Sequence, residues 1–265
     1  IVNINTLKPS KEVLNTLLEH YKNGRFIEAE TLAMNITKEF PLHQFAWKIL
    51  GAVFKRTGRI TESLIFMHKS VQINPKDAEA HNNLGVSLHE LGKFEEAEVS
   101  FTKAINLEPN YIEAHSNLGN THKDQGNFDK AIIAYDNAIS INPNYAEAHY
   151  NKGLTKKLSG KFKEAIESYT MAISINPDYA EAYNNLGNVL FEKGKTHDSI
   201  EAYKNSILVK NNYHQAWHNI SLVMQCVKQN YSSIENFVNE LFKNAQFNNI
   251  ELFKQLLIYK LKRSH

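Results

Sequence analysis

The chain predicts an all-α solenoid of stacked helix pairs, and three observations carry that prediction. Gly24, Gly58, Gly92, Gly126, Gly160 and Gly194 stand 34 residues apart, and Gly51, Gly85, Gly119, Gly153 and Gly187 keep the same step, which accounts for all 11 glycines. Pro41, Pro75, Pro109, Pro143 and Pro177 follow it too, so Pro9 is the one proline of six outside the ladder. Between these marks, apolar residues recur at the spacing of one helical face. A unit of this length cannot bury a core alone and becomes stable by stacking on its neighbours.

The phase of the glycines divides the chain into an extension, 1–9, six units at 10–43, 44–77, 78–111, 112–145, 146–179 and 180–213, and a remainder, 214–265. The third unit shows most plainly why each is a helix, a turn and a second helix. Leu84, Leu88 and Leu91 recur at helical spacing, Gly92 interrupts, and Phe94, Ala97, Phe101, Ala104 and Ile105 resume that spacing. Gly92 falls where a helix ends in a left-handed residue, and Pro109 in a loop through which the second helix cannot continue. Gly85 lies inside the first helix, where glycine costs about 1 kcal/mol relative to alanine, so close helix approach is its expected reason.

The other units vary this scheme. The first has Leu17 where later units have the helix glycine and Ala33 where they have a large residue, as expected of a terminal repeat. The second carries Trp47, Leu50, Gly51, Phe54, Gly58, Ile60, Ser63, Met67, Ser70 and Pro75, and the fourth His115, Leu118, Gly119, His122, Gly126, Phe128, Ala131, Tyr135, Ala138 and Pro143 at the same places. The sixth loosens, with Thr196, Ser199, Ser206 and Asn211 in place of the aromatic, the two alanines and the proline. A partial seventh begins at His214 with Trp217, Ser221 and Lys228. Ile234, Phe237, Val238, Leu241 and Phe242 predict a helix over 232–246, and another is expected over 249–262, together forming a C-terminal cap.

In order, these residues fill the pattern of a bulky residue, Leu-Gly, a further bulky residue, Gly, an aromatic, Ala, an aromatic, Ala and Pro. The chain thereby resembles the tetratricopeptide repeat family across 10–213. That resemblance implies a right-handed superhelix whose first helices line a concave groove, and a role in binding peptides or proteins there. It also resembles the repeat arm of O-linked N-acetylglucosamine transferases and the arrays that precede sulfotransferase, methyltransferase or glycosyltransferase domains in bacterial proteins.

Asn83, Asn117, Asn151, Asn185 and Asn219 occupy one place in five consecutive units, with Asn15 in the first and Ile49 in the second. Because an amide both donates and accepts, such a column matches the peptide groups of an extended chain without reading its side chains. Asn120 and Asn188, three residues on, share that helical face. The alternative is that the repeat uses these asparagines for its own hydrogen bonding. Lys123 and Lys157, with Lys55, His89 and Phe191, and Tyr150, Asn184 and His218 at another inward place, are further candidates that would bias a ligand toward acidic or aromatic side chains, each lysine having a solvated-face alternative. Glu79, Glu113, Glu147 and Glu181 at the second place of the central units argue against a clamp for carboxylate tails.

Several functions are set aside. His81, His115 and His149 stand where other units have Trp47, Tyr183 and Trp217, so packing explains them, and His214 with His218 makes two ligands without a third. A single cysteine, Cys226, allows neither an intramolecular disulfide nor a multi-cysteine zinc site. Gly153 and Gly160-Lys161 have six residues between the glycines where a phosphate loop needs about four, with Phe162 in place of its hydroxyl. Glu95-Glu96 lie on a charged face with no pocket for acid–base work. No run approaches the roughly 20 apolar residues of a membrane span, and Ile1 to Ser10 shows no secretory leader, so a cytoplasmic chain is expected.

Charge is uneven. Residues 78–202 carry 18 acidic and 11 basic groups, a net −7, between ends of +4 and +5, which disfavours a nucleic-acid partner. The leading expectation is a non-enzymatic module, without cofactor or metal, that binds a protein or extended peptide. Two others stand beside it: the substrate-recognition arm of a larger transferase, and self-association through the terminal helices.

Overall fold

The structure, a computed structural model, describes residues 8–226, and those residues form 13 α-helices and no strand. The helices predicted over 232–246 and 249–262 lie outside the described residues, as do residues 1–7. Two compact units divide after Pro143. The first holds α1 (Lys11–Lys22), α2 (Phe26–Glu39), α3 (Gln44–Arg56), α4 (Ile60–Ile73), α5 (Ala78–Glu90), α6 (Phe94–Leu107), α7 (Ile112–Asp124) and α8 (Phe128–Ile141). The second holds α9 (Ala146–Leu158), α10 (Phe162–Ile175), α11 (Ala180–Glu192), α12 (Thr196–Val209) and α13 (His214–Cys226). Within each unit a helix packs on its partner in the pair and then on the next pair.

The turn inside each pair is set by backbone geometry. Gly92 has φ +71°, its N–H donates to His89 O at 2.9 Å, and Lys93 N–H reaches Leu88 O at 2.9 Å. The left-handed residue thus satisfies carbonyls at the end of α5 and releases the chain into α6. The other turn glycines share the positive φ.

The glycines inside the first helices do different work. A Cβ on Gly85 would stand 2.7 Å from Phe101 Cε1, and on Gly119 2.5 Å from Tyr135 Cε1. Gly51 meets Met67, Gly153 meets Tyr169 and Gly187 meets Tyr203 in the same manner. Each pair therefore closes by seating one large buried side chain of its second helix in a notch on its first. The first pair inverts the fit. Leu17 and Ala33 are both fully buried in one cluster, so the bulk sits on the first helix and the gap on the second. Expected from sequence as the mark of a terminal repeat, this substitution is an exchange of volume.

A ring nitrogen anchors several first helices to the preceding loop. Trp47 Nε1–H donates to Pro41 O at 2.9 Å, and Trp217 Nε1–H to Asn211 O at 2.9 Å. His81 Nε2 and His115 Nε2 lie 3.0 and 2.9 Å from Pro75 O and Pro109 O. Trp and His interchange here because both place an N–H at that carbonyl, which fixes the histidine tautomer as Nε2–H.

The tyrosine hydroxyls in the notches are treated unequally. Tyr135 Oη–H donates to Asn120 Oδ1 at 2.7 Å and Tyr203 Oη–H to Asn188 Oδ1 at 2.8 Å, each acceptor following its notch glycine. In the pair α9 and α10 that place is Leu154, and the Tyr169 hydroxyl is buried without a partner. Removing an orphaned buried hydroxyl and removing a bonded one carry opposite signs. Tyr169→Phe is expected to raise stability by up to about 1 kcal/mol and Tyr203→Phe to lower it by about 1 kcal/mol. Urea unfolding midpoints check both; equal losses would show that the two hydroxyls are equivalent.

Candidate functional site

The asparagine column falls on one face of the first helices, because successive units repeat both the residue and its distance from the notch glycine. In the first compact unit, Asn117 Nδ2 donates to Asn82 Oδ1 at 3.0 Å, and Asn83 is half-buried. In the second, Asn185 Nδ2 donates to Tyr150 Oη at 2.9 Å and Asn219 Nδ2 to Asn184 Oδ1 at 2.9 Å. Asn151 is buried, at 8% exposure. Each of these bonds spans 35 residues and ties a first helix to the one before it. The repeat thus uses the column for its own hydrogen bonding, between units. An amide offers two donors and two acceptor sites, so one ladder bond does not exhaust it.

Asn188 joins this layer. Its Oδ1 accepts from Asn219 Nδ2 at 3.0 Å as well as from Tyr203, and its Nδ2 lies 3.4 Å from Asn185 Oδ1. Asn120 is committed to Tyr135. Among the sequence candidates, the structure brings Asn185, Asn188 and Asn219 into one network in the second unit, and places Asn117 and Asn120 on one helix in the first.

The lysine candidates face carboxylates. Lys157 Nζ stands 3.4 Å from Glu192 and Lys55 Nζ 3.0 Å from Glu90, while His89 Nε2 is 2.9 Å from Asp124. These too are links of 35 residues. Lys123 Nζ lies 3.5 Å from Asp124. The bias toward acidic ligands expected from these lysines is therefore countered by carboxylates already beside them.

The ladder bonds run one residue off the period, to the place that holds Tyr150 and Asn184 among the sequence candidates. The available signal was the residue just ahead of the column: Asn82, Tyr150 and Asn184 are all polar and supply the acceptors.

At one edge of this face, Lys48 lies between Asp77, at 3.3 Å, and Glu79, at 2.7 Å. Asp77 also accepts from Ala80 N–H at 2.9 Å as the cap of α5, and from Gln44 Nε2 at 2.8 Å. Burial opposes both charges, but the bonds and the paired charge outweigh it, holding the Asp77 carboxyl below its ordinary range and raising the Lys48 ammonium. Burial, then the charges of Glu79, Glu113, Glu108 and Asp77, push the Tyr111 hydroxyl up to about 12.

Among the described residues no group of three His, Cys, Asp or Glu is placed to hold a metal ion, and no helix is long and apolar enough to cross a membrane. What the first helices present, within each compact unit, is a polar, hydrogen-bonding face.

No curated protein matches the chain. Among solved structures, MamA is 26% identical with a TM-score of 0.56, over 63% of this chain and 97% of that one. PilW, described as a type IV pilus biogenesis factor, is 18% identical with a TM-score of 0.72, over 82% and 100%. YrrB, described as a TPR protein with an unusual peptide-binding site, is 18% identical with a TM-score of 0.54, over 70% and 96%. Family models described as tetratricopeptide repeat match residues 78–111, 100–133 and 180–213, and one described as TPR repeat matches 119–158 and 156–194. These matches run without a gap from 78 to 213, just over half of the chain. With notch glycines, turn glycines and paired helices in the same register, the chain belongs to the tetratricopeptide repeat family.

Proposed function

We propose that the first-helix face of these repeats binds an extended peptide or protein segment, without catalysis, and that the repeat boundaries are those of the 34-residue phase from 10–43 to 180–213. One observation carries the reading: the amides of Asn83, Asn117, Asn151, Asn185 and Asn219 recur at a constant step on one helix face, and the ladder leaves them hydrogen-bonding capacity. Asn120, Asn188, Lys123 and Lys157 border it. The fold supports a protein-interaction module in general, and YrrB, a structural neighbour, is described as having a peptide-binding site.

Peptides selected from a displayed library on the intact chain provide the ligand for a test. Replacing Asn117, Asn151 and Asn185 together by alanine is expected to weaken the selected peptides about tenfold or more, which corresponds to about 1.4 kcal/mol. Circular dichroism and urea unfolding, run in parallel, separate lost recognition from a loosened ladder. Unchanged affinity in a folded triple variant would reject the asparagine mechanism.

A further inference from the structure

The edge of the first-helix face in the second compact unit repeats a carboxylate and a tyrosine, and one such place already holds an ammonium group. Lys210 Nζ stands 3.0 Å from Glu181 Oε1 and lies over the Tyr213 ring, 5.2 Å from its centroid. One step of 34 residues earlier, the equivalents of Glu181, Tyr213 and Lys210 are Glu147, Tyr179 and Asn176. Carboxylate and ring are kept and the lysine is not.

The earlier place is open. Glu147 is exposed and accepts from the Tyr145 hydroxyl at 3.0 Å, and no lysine or arginine pairs with it among the described residues. The negative charges of Glu147 and Glu181 both reach the Tyr179 hydroxyl. The Tyr179 ring is steadied against Tyr150, with centroids 4.8 Å apart, and Tyr150 is held in turn by Asn185. A cation entering here would meet a carboxylate and an aromatic face together, as Lys210 does.

We propose, resting on the peptide-binding reading above, that this edge selects extended segments bearing a lysine or arginine. The cationic side chain takes the Glu147–Tyr179 place as Lys210 takes Glu181–Tyr213. The net −7 of residues 78–202 favours the approach of such a segment.

The test compares two short acetylated and amidated peptides of serine and alanine, one with two lysines and one with norleucine in their place, binding to the full chain at low ionic strength. The lysine peptide is expected to bind about fivefold or more tightly, the scale of a partly exposed ion pair with a cation–π contact. Glu147→Gln is expected to remove most of that preference, whereas Glu167→Gln, exposed on α10, leaves it intact. Equal affinity of both peptides, or equal effects of the two substitutions, would overturn the cation site while leaving asparagine-dependent peptide binding standing. Binding of library peptides but of neither test peptide would overturn the cation site alone, and failure of the two test peptides and of every library peptide would overturn both readings.

Discussion

Phe101→Ala is expected to cost about 3–5 kcal/mol, because it empties a notch that no neighbouring group can refill. Gly85→Leu is expected to cost about 1–3 kcal/mol or more, since even its Cβ would stand 2.7 Å from Phe101 Cε1. The double variant is the informative one. Combining the two changes recreates the arrangement that the first pair uses, with the large side chain on the first helix and alanine on the second, as Leu17 and Ala33 show. The double loss should therefore fall short of the sum of the single losses by about 2 kcal/mol, within the range for directly contacting residues. Urea unfolding of the four proteins completes the cycle. Additive losses would mean that the notch is not a single fitted contact and that the inversion in the first pair has another cause.

Alkaline pH is expected to unfold the chain steeply. Burial is the main cause that raises the hydroxyls of Tyr150, Tyr169, Tyr179, Tyr203 and Tyr213, and Tyr111 is pushed up to about 12. A group whose pKa is higher folded than unfolded keeps its proton longer in the native state. Its stabilisation is complete below the unfolded tyrosine value, about 10, and drains away as the pH climbs past it. The Lys48 ammonium, raised by Glu79 and Asp77 against its burial, loses its contribution in the same direction. Thermal midpoints measured between about pH 8 and 12 should hold level and then fall, with tyrosinate absorbance from these groups appearing as helicity disappears. A midpoint that stays level across that range would contradict the burial of these hydroxyls.

Much of the scaffold is legible in the chain because its marks are backbone requirements. A positive φ at Gly92 and the close approach at Gly85 each exclude other residues, so spacing reveals them directly. Face chemistry is harder to read, since asparagine satisfies a neighbour and a ligand with the same atoms. The column was visible, yet its bonds run 35 residues back, between units, which a search at the period passes over. Lysines at Lys55 and Lys157 read as free cations until their partners, Glu90 and Glu192, are placed beside them by the stacking of helices.

The notch and the ladders also differ in what they bind together. A large side chain and its glycine lie in one helix pair, as with Phe101 and Gly85, whereas the amide and ionic ladders join one pair to the next. A pair copied or moved as a block carries its knob and its socket with it, but leaves its ladder partners behind. Shuffling such blocks would therefore preserve the fit inside each pair while rewriting the contacts, polar and apolar, between one pair and the next. In this architecture, the fit of a pair travels with it, and its seams are made anew with each neighbour.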